Sequence, residues 1–94
     1  MADMAGAQVA LTARGWVESA LPRVGQDLSP TSQEAISALL RDEADDAAAA
    51  WLLDSIIGTG RLDAAFCAEA TALLKLGQFG RSEAYVRDLL ALQP

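Results

Sequence analysis

The chain reads as an all-α domain of about five helices, stacked as helical hairpins behind an N-terminal helix. Three observations predict this class. Apolar residues recur every three or four positions along most of the chain, and no stretch alternates apolar and polar residues as a half-buried strand does. Helix-start and helix-stop residues punctuate that pattern: Ser29–Pro30 and Asp63 as starts, Gly60 and Gly77 as stops. Strong helix formers, alanine above all, supply much of the 52% apolar content. Ninety-four residues suffice for one domain, spanning 1–94, near the small end of what folds alone.

Residues 1–6 carry no pattern and are expected to fray. From Ala7 to Val24, the positions Val9, Ala13, Trp16, Val17, Ala20 and Val24 mark one helical face, which reads as core. Pro22 is expected to end or kink that helix near Ala20. The stretch from Arg23 to Pro30 reads as a loop. Ser29 is then an N-cap and Pro30 suits the first helical position. Ile36, Leu39 and Leu40 mark the buried face of the helix they open.

Asp42, Glu43, Asp45 and Asp46 place four carboxylates within five residues, and like charges at helical spacing repel. A turn is expected there, with Asp45 or Asp46 capping the next helix. Trp51, Leu52, Ile56 and Ile57 are assigned to that helix's apolar face. Gly58 or Gly60 closes it in the left-handed conformation. Asp63 caps a helix running to Leu76, with Gly77 as its terminating glycine. A last helix spans roughly Ser82 to Leu92, with Tyr85, Val86, Leu89, Leu90 and Leu92 as its apolar residues.

Composition excludes several functions. The net charge of −6 is unsuited to phosphate backbones and anionic lipid, so neither nucleic acid nor membrane is an expected partner. Histidine, the commonest general base and metal ligand, is absent. The single cysteine, Cys67, permits no internal disulfide and reads as a small buried hydrophobe. The acidic cluster lacks the glycine and distal glutamate of a calcium loop and reads as a solvated turn. Gly58–Thr59–Gly60 precedes no phosphate-loop lysine and reads as a helix terminator. No enzyme activity, metal or cofactor is therefore expected. The N-terminus carries no early Lys or Arg and no long apolar run, so the expected location is cytoplasmic.

The segment from Asp63 to Pro94 has the pattern of a tetratricopeptide repeat. Phe66, Ala70 and Leu73 are followed by a turn with Gly77 and Phe79, then Ser82, Val86, Leu89 and a closing Pro94. Phe79 is expected to pack between the two helices. A weaker copy spans Pro30 to Ile57, with Ala49, Leu53 and Ile56 near repeat positions but no glycine in its turn. A lone hairpin cannot bury its own apolar face, so it must stack on another or hold a partner helix. Trp16 and Trp51 are either core residues or interface anchors.

Three places together give a wider resemblance: Leu21–Pro22 with the Ser29–Pro30 start, the acidic turn leading into the run from Ala47 to Ile56, and the Gly58–Thr59–Gly60 helix–Gly77–Gln78–Phe79 hairpin. The layout resembles the small TPR-like co-chaperones of type III secretion needle subunits. That resemblance implies a cytoplasmic virulence chaperone that cups the amphipathic C-terminal helix of a small needle subunit, together with a second small co-chaperone, and prevents premature polymerisation. Repeat geometry carried over from that family places Ala64, Cys67, Thr71 and Leu74 on the partner-binding side, with Ile36 and Leu40 from the preceding hairpin. The alternative is a bacterial death-fold adaptor of the caspase-recruitment type, assembling homotypically. Its segment would be Ala50–Trp51–Leu52–Leu53–Asp54, followed by Gly60, Phe66 and a leucine-rich close.

Overall fold

A computed structural model describes residues 12–60 and 62–93. Among these residues five α-helices form: α1 (Ala13–Val24), α2 (Pro30–Arg41), α3 (Asp45–Thr59), α4 (Ala64–Lys75) and α5 (Glu83–Ala91). Single 3-10 turns, Gly25–Asp27 and Gly80–Ser82, follow α1 and precede α5. No strand occurs among the described residues, as the periodicity predicted. The expectations for residues before Thr12 and for Pro94 lie outside the described residues.

Local chemistry explains most helix ends. Thr12 Oγ1 accepts from the Gly15 amide at 2.9 Å, Ser29 Oγ from Ser32 at 3.1 Å and Asp63 Oδ1 from Phe66 at 2.9 Å. Each satisfies an amide that the first helical turn leaves without a partner. Gly60, at φ 73°, closes α3, and Gly77, at φ 71°, follows α4. Pro22 does not stop α1 near Ala20. It sits in the last turn, where the hydrogen bond it deletes is at an exposed end, and the helix continues to Val24.

The α2–α3 turn differs from expectation. Glu43 takes the left-handed conformation at φ 59°, the place a glycine usually fills, and Ala44 is the N-cap without a side-chain bond. Asp45 and Asp46 therefore do not cap α3. Both lie in its first turn and make tertiary contacts, so this part of the acidic cluster is not merely solvated. Asp45 pairs with Arg14 of α1 at 2.9 Å, and Asp46 Oδ2 accepts from the Arg81 amide at 3.2 Å.

The core is organised around α3. Ala48, Ala49, Ala50, Leu52, Leu53 and Ile56 are all buried on it, and α1, α2 and α5 pack against it. The α2–α3 and α4–α5 pairs form the two expected hairpins, but α2 makes no substantial contact with α4. A side-by-side repeat stack is therefore not established by the packing. Instead α1 bridges both hairpins. Its Arg14 Nη2 donates to the Leu40 carbonyl at 2.6 Å, Trp16 Nε1 donates to Glu69 Oε1 on α4 at 2.8 Å, and its Ala13 amide donates to Gln78 Oε1 at 3.2 Å. Arg23 reaches the same Glu69 oxygen at 3.0 Å, and its guanidinium lies 4.4 Å from the Phe66 ring centroid.

Phe79 is fully buried, meeting Trp16 of α1 edge-on with centroids 6.5 Å apart. Its partner thus includes the N-terminal helix and not the hairpin alone. The adjacent Gly80 is at φ 48°, and a Cβ there would stand 2.8 Å from Asp46 Oδ2. Gly80→Ala is expected to lower stability in urea by about 1–2 kcal/mol for the backbone, plus the cost of displacing Asp46. Gly77→Ala carries the backbone cost alone, because nothing lies near its Cβ position. Equal losses for the two variants would mean that Asp46 does not brace the turn.

Candidate partner-binding surface

The buried ridge of α4 is Phe66, Ala70 and Leu73. Spacing on a 3.6-residue helix puts Glu69 on one flank of that ridge and Cys67, Thr71 and Leu74 on the other, with Ala64 one turn before Cys67. The Glu69 flank is covered by α1 through Trp16 and Arg23. On the opposite flank Ala64 is exposed, while Cys67, Thr71 and Leu74 are half-buried. Leu74 also packs against the core cluster from its edge. Ala64 and Cys67 line a cleft of about 460 Å³ with Leu62, Asp63 and Gln93, so the segment just past α5 forms its other wall.

The structure thus gathers four of the six residues assigned to partner binding on one flank of one helix. It does not bring the other two to them. Leu40 is half-buried and lines a separate cleft of about 520 Å³ between α1 and α2, with Leu21, Pro22 and Gln33. Ile36 is corrected to a core residue: its side chain has no exposed surface, because α2 turns that position onto α3. A leucine and an isoleucine four residues apart share a helix side, but burial falls off across that side, and spacing alone does not say which position is innermost.

Among the described residues four large apolar side chains stand in solvent: Trp51 at 47% exposure, Leu76 at 53%, Tyr85 at 50% and Leu92 at 80%. Trp51, assigned from sequence to the apolar face of α3, points away from the core. Tyr85 stands near Asp54 of α3, within reach of a hydrogen bond from its phenol to that carboxylate. This hydrogen bond, with smaller effects of desolvation and of the Asp54 charge, raises the Tyr85 pKa above its ordinary 10.0. Sequence reasoning missed this pairing, which joins residues from two helices and leaves no trace in local spacing.

Among the described residues no group of three or more His, Cys, Asp or Glu is placed to hold a metal ion, and no helix is long and apolar enough to cross a membrane. Comparison with family models, curated proteins and solved structures gives no match.

Proposed function

We propose that this domain is a non-catalytic adaptor that holds an amphipathic helix of a small partner protein. The observation that carries the reading is the flank of α4 formed by Ala64, Cys67, Thr71 and Leu74, which borders the cleft walled by Gln93. Small side chains there let a partner helix approach closely, and Leu74 offers an apolar anchor at one end. The resemblance described above refines the proposal. The partner is a needle-type secretion subunit, kept from polymerising in the cytoplasm in a heterocomplex with a second small co-chaperone.

Leu74→Asp is expected to abolish capture of a coexpressed needle-type subunit while the helical circular dichroism spectrum persists. Leu74 also touches the core, so Thr71→Lys serves as a second variant at a half-buried polar position on the same flank. Capture that survives both substitutions would place the partner elsewhere.

The arrangement of helices around a central α3 also favours a second reading, a death-fold adaptor that assembles with its own kind. A helix packed on several sides is natural to a compact bundle and unnecessary in a two-row stack. Light scattering separates the readings: a discrete heterocomplex supports the adaptor for a helix, and concentration-dependent homo-oligomers support the death-fold adaptor.

A further inference from the structure

The outward sides of α3 and α5 form a second surface, distinct from the flank of α4. Trp51 and Asp54 lie one turn apart on α3, and α5, which packs against α3, places Tyr85 near Asp54. Two half-exposed aromatic side chains therefore lie on either side of one exposed carboxylate. Along α5, Tyr85, Asp88 and Leu92 fall at helical spacing on the side away from buried Val86, and all three are exposed. On α3, Gly58 follows Trp51 by two turns, with no atom within 4 Å of its Cβ position, so that part of the face is open.

The charges on this surface are unbalanced. No Lys or Arg occurs on α3. The one cation of α5, Arg87, lies on another side of the helix and is held by Glu83 at 3.0 Å. Arg81, in the turn before α5, is the nearest cation in sequence, and its backbone rather than its side chain is tied to Asp46. Aromatic faces attract cations, and exposed carboxylates at their edge attract the same groups. A neutral or acidic apolar segment would strip water from Asp54 and Asp88 without replacing it. A second copy of this chain brings the same net charge of −6 and is disfavoured for that reason.

We propose that the α3–α5 face centred on Trp51 and Tyr85 docks a basic amphipathic segment of a partner protein. Its apolar residues lie on Trp51, Tyr85 and Leu92, and its Lys or Arg side chains reach Asp54 and Asp88. This assignment does not rest on the α4 surface.

The test uses the full chain and labelled synthetic helical peptides of about 16 residues, long enough to run roughly 24 Å. One is built of Leu, Ala and Lys, the other has Glu at every Lys position, and binding is read by fluorescence anisotropy. The Lys peptide is expected to bind at least about tenfold more tightly than the Glu peptide, and to weaken as salt rises. Trp51→Ala and Tyr85→Ala are each expected to weaken it about tenfold, as loss of an aromatic anchor does. Asp54→Asn combined with Asp88→Asn flattens the salt dependence. Both aromatic residues are half-exposed, and circular dichroism checks that the variants remain folded. Equal binding of the two peptides overturns the proposal, as does binding that ignores Trp51→Ala. A dimer in light scattering that Trp51→Ala dissolves would assign the face to a second copy and overturn it as well.

Discussion

Phe79→Ala is expected to destabilise the domain by about 3–5 kcal/mol, the range for removing a fully buried aromatic ring. The ring has no exposed surface and is packed edge-on against Trp16, with an interplanar angle of 76°. Three parts of the chain meet there: α1 through Trp16, the α4–α5 turn that carries Phe79, and α3, to which the bond from the Arg81 amide to Asp46 ties this turn. A domain of this size has a total stability on the order of 5–10 kcal/mol, so the substitution removes a large part of it. Urea denaturation of the Trp51→Phe background measures the loss, because Trp16 is then the only tryptophan and reports on the core. A loss below about 1 kcal/mol would mean that the ring is not enclosed as described.

Trp16→Ala is expected to be comparably damaging, again about 3–5 kcal/mol. The indole is fully buried, and its Nε1 donates to Glu69 Oε1 at 2.8 Å. Removing it opens a cavity beside Phe79 and cuts a link from α1 to α4. Glu69 keeps its ion pair with Arg23 at 3.0 Å, so its carboxylate is not stranded. Trp16→Phe should therefore recover most of the loss, leaving mainly the deleted hydrogen bond at about 1 kcal/mol and some lost volume. Substitutions at Trp16 and Phe79 are expected to be non-additive, because the two rings touch. If Trp16→Phe proved as harmful as Trp16→Ala, the bond to Glu69 would outweigh the packing of the ring.

The proposed α4 surface was partly legible in the residue order. Cys67, Thr71 and Leu74 are spaced to share a flank of any helix that contains them. Whether that flank is open depends on α1, which covers the other side of the ridge through Trp16 and Arg23. Had α1 crossed the Cys67 side, the same stripe would be core. Ile36 shows the converse, a residue assigned to a partner that the fold encloses.

What the chain determines by itself is the class, the helices among the described residues and most of their ends. Ser29, Asp63, Gly60 and Gly77 act on backbone groups within a few residues, so the sequence neighbours contain all the information needed. Apolar spacing likewise fixes the buried side of α1, where Trp16, Val17, Ala20 and Val24 are enclosed as read. The orientation of α3 was left to the tertiary structure. Alanine, leucine, isoleucine and tryptophan surround that helix almost completely, so its periodicity names no inward side. The contacts of α1, α2 and α5 choose it. They enclose Leu52, Leu53 and Ile56 and leave Trp51 in solvent, because a side chain's burial depends on partners distant in sequence.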